Sequence, residues 1–266
     1  MAAANSRAAH QVLDAQPRVL DDPYAVPMIG SAGLQKILNE PNRFRTPEAL
    51  AFRAHVLLRS RFAEDRLESA VLSGVKQYVN LGAGFDTFAL RQPAWAGKLK
   101  ILEVDQPATQ AMKRAHLSEA NLEMPENVAF GSMDFERESV RKDILRHHVS
   151  TDEPIFFSWL GVTMYLDEQE IVAVLRSIAE FPKGSEIVLT FVRPGDSLSY
   201  GARRAAESGE PWRSAFTPDS IEAQLRAAGF SKIEHLSHEE AQARYFSQRP
   251  ADLRAPRLTN MLSAML

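Results

Sequence analysis

From Tyr78 onward, apolar runs of strand length alternate with helix-length segments. The runs Tyr78–Leu81, Lys100–Val104, Val128–Phe130, Ile155–Trp159 and Ile187–Val192 read as strands, and the stretches near Pro107–Leu117, Glu136–Arg146 and Glu168–Glu180 read as helices. Nearly continuous apolar strands with helices between them imply a mostly parallel sheet covered on both faces. A final helix is expected over Pro218–Ala228, stopped by Gly229. Ser231–Leu236 and Arg244–Ser247 are then expected to pair as two closing strands.

The first 75 residues have a different texture. Pro17, Pro23, Pro27, Pro41 and Pro47 break them into short helical and irregular pieces. After Pro47, Leu50, Ala54, Leu57, Leu58, Phe62, Leu67, Ala70 and Val71 recur at helical spacing up to Gly74, which predicts one long amphipathic helix. The fold class that follows is α/β: a doubly wound, Rossmann-like, mostly parallel sheet with an antiparallel closing strand and an N-terminal helical cap. Residues 1–75 are expected to form the cap and residues 76–266 the sheet domain, within one domain. The Gly-, Pro-, Arg- and Ser-rich stretch 193–216 is expected to be an insertion.

Composition narrows the function classes. With 266 residues, 45% hydrophobic and 24% charged, the chain has room for one large α/β domain. Lys+Arg 31 against Asp+Glu 34 gives −3, so no net positive field favours nucleic acid or an anionic membrane. The absence of cysteine removes disulfides, thiolate catalysis and Cys-ligated zinc, and no metal site is expected. No apolar run reaches a bilayer span and Met1–Arg7 lacks the pattern of a signal peptide, so a cytoplasmic protein is expected.

The most informative stretch is Gln77-Tyr-Val-Asn-Leu-Gly-Ala-Gly-Phe-Asp-Thr87, an apolar strand running into Gly82-Ala83-Gly84 and then an expected helix. Glycines there permit a tight turn and let a ligand approach the backbone at the carboxyl edge of the sheet. A dinucleotide fingerprint wants a third Gly or Ala where Thr87 stands, so a pyrophosphate fits less well. The next strand ends Ile101-Leu-Glu103-Val-Asp105-Gln-Pro107, with Glu103 and Asp105 at 21 and 23 residues after Gly82. An acid near this distance can grip a ribose hydroxyl pair; Asp105 can equally cap the helix that starts at Pro107.

With these residues in view, the chain resembles the leucine carboxyl methyltransferase family. The resemblance spans nearly the whole chain and rests on Arg59-Ser-Arg61-Phe, the Asn80–Thr87 turn, Glu103–Pro107, Ser132-Met-Asp134-Phe135 and Trp159-Leu-Gly-Val-Thr-Met-Tyr-Leu166, in agreeing order and spacing. It implies S-adenosylmethionine as cofactor. By that resemblance Arg59 holds the methionine carboxylate, Gly82 and Gly84 pass close to the methionine part, Asp105 binds the ribose with Glu103 beside it, and Asp134 and Phe135 recognise adenine. Arg7 resembles a second basic residue of the family's N-terminal segment, and Asp134 can alternatively cap the helix from Glu136. One departure stands out: Leu160 occupies the place where eukaryotic members carry a glutamate, which speaks against their phosphatase-tail substrate.

The function expected is methyl transfer to an oxygen, carboxylate or hydroxyl, of a small-molecule acceptor. Trp159, Tyr165, Tyr200, Trp212 and Arg213 are candidates to line the acceptor pocket. No catalytic residue is assigned: Tyr165, His55, His147 and His148 form no nucleophile–base arrangement, and the His147-His148 pair suits a helix C-terminus. The alternatives are a nicotinamide-dependent oxidoreductase, disfavoured by Thr87 and by the lack of a Tyr/Lys set, and a catalytically silent cofactor-binding module.

Overall fold

The N-terminal residues fold as three helices, α1 (Ala2–Leu13), α2 (Ala25–Asn39) and α3 (Pro47–Leu72). Thr46 caps α3 by accepting from the Ala49 amide, and Pro47 occupies the first helical turn, where its missing N–H costs nothing. Arg53 of α3 is 1% exposed and forks onto Asp14 just past α1, with Nε to Oδ2 at 2.8 Å and Nη2 to Oδ1 at 2.7 Å; its Nη1 donates to the Phe44 carbonyl. His10 Nε2 accepts from the Val19 amide, so its Nδ1 donates to the same Asp14 carboxylate at 2.7 Å. Burial lowers the His10 pKa and works to raise that of Asp14. The donors from His10 and Arg53 outweigh burial at Asp14 and hold it below the usual carboxylate range.

This computed structural model describes residues 1–135, 140–147, 149–195, 200–207 and 209–266. Along it run β1 (Gln77–Leu81), α4 (Phe88–Arg91), β2 (Lys100–Asp105), α5 (Pro107–Glu119), β3 (Val128–Ser132), α6 (Val140–Leu145), β4 (Phe156–Trp159), α7 (Glu168–Ile178), β5 (Glu186–Thr190), α8 (Tyr200–Glu207), α9 (Pro218–Ala228), β6 (Lys232–His235), α10 (His238–Ala241) and β7 (Met261–Met265). The seven strands form one sheet in the order β3-β2-β1-β4-β5-β7-β6. Pairings among β1 to β5 are parallel, and β7 runs antiparallel to both β5 and β6. The strand order reverses between β1 and β4, the switch point where open α/β sheets bind ligands.

Successive side chains of a strand point to opposite faces, and the two cores divide accordingly. Val79, Leu81, Leu102, Val104, Phe157, Trp159, Ile187 and Leu189 pack with α6, α7 and α9 on one face. Tyr78, Ile101, Phe156 and Val188 pack with α3 on the other. Covering both faces explains why β1 and β5 read as unbroken buried runs.

One expectation is corrected. The partner of β6 is not Arg244–Ser247, which lies in a helical turn over Gln242–Phe246 with Phe246 buried and Tyr245 donating to Asp65, but the C-terminal Met261–Met265. That strand, Met-Leu-Ser-Ala-Met, carries no β-branched or aromatic residue, whereas Tyr245-Phe246 has the composition of a strand. The helix after the glycine turn is short, only Phe88–Arg91. The expected helix start at Glu136, part of the 193–216 stretch and His148 lie outside the described residues.

The Asp14 fork yields a stability test. Asp14→Ala leaves a buried guanidinium without its carboxylate and should cost about 3–5 kcal/mol in urea unfolding, because an unpaired buried charge is not resolvated. The contribution of Asp14 is present at neutral pH and is lost as pH falls through its depressed pKa.

Candidate functional site

A cleft of about 570 Å³ opens at the carboxyl edge of the strands. Its floor is the turn after β1. The Gly82 and Ala83 amides both donate to the Val104 carbonyl, at 2.7 and 3.1 Å, which folds the chain back across the end of β2. Gly82 has φ +72° and Gly84 φ +50°, left-handed values that side chains disfavour. A Cβ on Gly82 would overlap Val162 Cγ2, whereas one on Gly84 would meet nothing within 4 Å and would stand in the cleft.

On the β2 side of this floor lies Asp105. Its Oδ2 accepts from the Gly84 amide at 2.6 Å and its Oδ1 from the Gln106 amide at 2.7 Å, so the carboxylate is fixed in orientation and presents its remaining lone pairs to the cleft. Burial raises its pKa, with the two backbone donors opposing that rise. Thr109, Met112 and Phe135 line the wall beyond it. Phe135 is 7% exposed and packs against the Trp159 ring at 6.2 Å.

On the β4 side, Arg59 of α3 enters the cleft beside Leu160, Gly161 and Val162. Among the described residues its guanidinium has no hydrogen-bond or ion-pair partner. Burial first, and then the nearby Arg7, pull its pKa down to about 10, so it stays charged at neutral pH. Arg7 also borders the cleft but is engaged: it donates to the Phe85 carbonyl and to Asp86 at 3.3 Å, and lies 3.6 Å from Asp22. Asn80, at the end of β1, accepts from Ser158 at 3.1 Å, and Ser158 pairs with the Tyr78 hydroxyl at 2.7 Å.

The structure brings Arg59, Gly82, Gly84, Asp105, Phe135, Tyr165 and Arg213 to this one cleft. Arg213 is held at its rim by Asp167 at 3.1 Å and Glu170 at 3.6 Å. Burial raises the Tyr165 pKa, so its hydroxyl stays protonated near neutrality. Four candidates, Glu103, Trp159, Asp134 and Trp212, take other places. Glu103 lies beneath the floor, 1% exposed, with Lys113 Nζ 2.5 Å from Oε2, and does not line the cleft. Trp159 is fully buried in the core below Phe135, because β4 is covered on both faces. Asp134 is half-buried next to the cleft but is not among its lining residues. The Tyr200 side chain lies outside the described residues, and Trp212 packs against Gly201 of α8. His55 is half-buried, and desolvation followed by the charge of Arg59 lowers its pKa to about 3, so it is neutral.

Sequence reasoning missed Asn80, Asp86, Thr109, Met112 and Leu166 as cleft residues. Asn80 and Asp86 lie in the glycine-turn motif and could have been read from it. Thr109 and Met112 carry no signal, since facing the cleft depends on how α5 is docked.

Residues 1–179 match the sequence profile described as leucine carboxyl methyltransferase. A candidate S-adenosyl-L-methionine-dependent methyltransferase of Bacillus subtilis (strain 168), YktD, is 36% identical over 208 residues, covering 75% of this chain and 68% of that protein. A candidate enzyme of the same description from Mycolicibacterium paratuberculosis is 27% identical over 197 residues, covering 72% and 73%. Among solved structures, a candidate methyltransferase from Thermobifida fusca YX superposes with TM-score 0.58 at 18% identity, covering 88% of this chain and 87% of that one. A DUF574 family protein from Streptomyces avermitilis superposes with TM-score 0.57 at 15% identity, covering 99% and 95%. At those identities the structural likeness speaks to the fold.

The two glycines of the floor should respond differently to a methyl group. Both Gly82→Ala and Gly84→Ala carry a left-handed backbone penalty of about 1–2 kcal/mol. Gly82→Ala should lose about 1–3 kcal/mol more from the overlap with the stiff Val162 side chain, and Val162→Ala should restore that part. Equal losses in chemical unfolding would show that Val162 gives way freely.

Proposed function

The chain belongs to the leucine carboxyl methyltransferase family, and on that premise we propose that its cleft binds S-adenosylmethionine between Arg59 and Asp105 and serves the methylation of an oxygen on a small acceptor. Membership makes the chain a methyltransferase with S-adenosylmethionine as its cofactor and leaves the oxidoreductase reading without support. The observation that carries the placement is the pairing across the floor. A carboxylate oriented by two backbone amides lies on the β2 side, an arginine with no partner among the described residues lies on the β4 side, and bare glycine backbone lies between. Strands β2 and β4 flank β1, so their ends stand about 10 Å apart at the usual strand spacing, with Asp105 at one and Arg59 beside the loop that follows the other. A ligand that spans them needs a cis-diol at one end and an anion at the other.

The residues fit such a group. Asp105 accepts from the ribose hydroxyls, Arg59 pairs with the methionine carboxylate, and Phe135 offers an apolar face to the adenine, with Asp134 near its edge. Glu103 acts from below, through Lys113, which also donates to the Asp86 carbonyl at 2.7 Å. When bound, the cofactor supplies an electrophilic methyl group on a sulfonium; the protein aligns the acceptor for in-line displacement. Leu160, Val162, Leu166 and Pro211 make an apolar acceptor wall, in which the protonated Tyr165 hydroxyl donates a hydrogen bond and Arg213 holds the rim. Residues 1–75 act as a cap that roofs the site through Ala4, Arg7 and Arg59, while residues 76–266 supply the floor. A carboxylate acceptor needs no base; a hydroxyl acceptor needs one, and His55, neutral and outside the cleft lining, is not placed to serve.

Titration of S-adenosylhomocysteine and adenosine against Arg59→Ala and Asp105→Ala tests the placement. Each variant should weaken S-adenosylhomocysteine about ten- to hundredfold, the consequence of losing a charged hydrogen-bond partner worth about 1.5–3 kcal/mol. Adenosine lacks the carboxylate, so only Asp105→Ala should weaken it. Equal losses for both ligands in Arg59→Ala, with the fold intact by circular dichroism, would reverse the proposed orientation. Affinity should also fall as pH falls through the raised pKa of Asp105, since a protonated carboxyl loses acceptor capacity, and Asp105→Asn should flatten that dependence. Labelled methyl transfer to a panel of carboxylates and phenols tests the acceptor, and transfer to neither, with the cofactor bound, would favour the silent module.

A further inference from the structure

Arg59 poses a physical problem. A long, flexible, charged side chain held in one place ordinarily has a carboxylate or carbonyl to hold it, yet among the described residues no hydrogen bond or ion pair does so. Its position is set instead by packing on bare backbone. A Cβ built on Gly161 would lie 2.8 Å from Arg59 Cζ and 3.0 Å from Nη2, and closer still to Nη1. Three guanidinium atoms therefore lie over the Gly161 α-carbon, in space that every other residue type fills with its side chain. Elsewhere in the same loop a side chain is no obstacle, as Leu160 and Val162 line the cleft on either side.

The platform is itself fixed. Gly161 has φ +75°, and its amide donates to the Thr190 hydroxyl at 2.7 Å. The Thr190 carbonyl accepts from the Thr163 hydroxyl at 2.7 Å, so the fully buried Thr190 at the end of β5 pins the loop from both sides. We propose that Gly161 is a positioning residue for Arg59: its missing side chain is the seat on which the guanidinium rests, and Thr190 locks that seat. The consequence is specificity for the anionic end of the ligand, since displacing the guanidinium leaves the Asp105 end untouched. This rests on the reading that Arg59 pairs with the ligand carboxylate.

The test is a double-mutant cycle on binding. S-Adenosylhomocysteine and adenosine are titrated against the wild type, Arg59→Ala, Gly161→Ala and the double variant, each with its melting temperature. Gly161→Ala should weaken S-adenosylhomocysteine about tenfold and leave adenosine within about twofold. In the Arg59→Ala background it should cost nothing further, because the seat has no occupant to lose. The left-handed backbone strain of the alanine is present in both arms and cancels between them. Thr190→Val, nearly isosteric, is the second variant: it should weaken S-adenosylhomocysteine a few-fold and leave adenosine unchanged, and it carries the test alone if Gly161→Ala fails to fold. A Gly161→Ala or Thr190→Val variant that weakens both ligands alike, that leaves S-adenosylhomocysteine unaffected, or that costs the same with and without Arg59 overturns the proposal. If Arg59→Ala itself binds S-adenosylhomocysteine as the wild type does, the parent reading fails and this one with it.

Discussion

The chain leaves β1 through two left-handed residues, Gly82 and Gly84, and the surrounding structure is arranged to hold that turn without placing a side chain above it. From the β2 side it is held by the Val104 carbonyl and the Asp105 carboxylate, and from below by Lys113, which donates to the Asp86 carbonyl. Arg7 of the N-terminal helix clasps the Phe85 carbonyl and Asp86. Thr87, in the position where a dinucleotide fingerprint has a small residue, donates to Asp22 at 2.6 Å and ties the turn to the start of α2. The departure from that fingerprint is therefore structural in origin: the hydroxyl joins the helical N-terminal segment to the sheet.

These supports are charged and buried, an arrangement that stabilises little in itself, because desolvation offsets most of the attraction. Its value lies in direction. Lys113 against Glu103 and Arg53 against Asp14 each join elements distant in sequence at defined atoms, which apolar packing alone does less sharply. Burial raises the Glu103 pKa and Lys113 opposes that rise, so the pair stands or falls together. Arg59 departs from this rule. It is a cation beside the end of β4 with no partner among the described residues and with Arg7 nearby to repel it, a cost that the proposed pairing with a ligand carboxylate would offset.

Asymmetry about β1 gives the cleft its two ends. Because the sheet order reverses between β1 and β4, the loops after the two strands diverge, and the acid after β2 and the arginine beside the β4 loop face the same opening from opposite sides. In the proposed placement, the diol of the ligand meets the acid and its carboxylate meets the arginine.

Much of this was legible in the sequence, for a physical reason. Central parallel strands are buried on both faces, so β1, β2, β4 and β5 announce themselves as apolar runs, and a ligand site that needs bare backbone must use glycine. Long helices with proline starts, such as Pro47–Leu72 and Pro218–Ala228, are local features and were readable as such. What only the tertiary structure decided depends on contacts between distant segments. The closing strand is Met261–Met265, whose composition gives no strand signal and which is fixed by pairing with β5 and β6. Glu103 and Asp105 are both acids at alternate positions of one strand, yet depth separates them: one is sealed under α5 with Lys113, the other reaches the edge. Trp159 sits at the end of an apolar run either as cleft wall or as core, and the covering of both sheet faces made it core. The seat that Gly161 offers Arg59 joins residues from α3 and the β4 loop. No local pattern encodes such a contact, because it exists only where the long helix crosses the sheet.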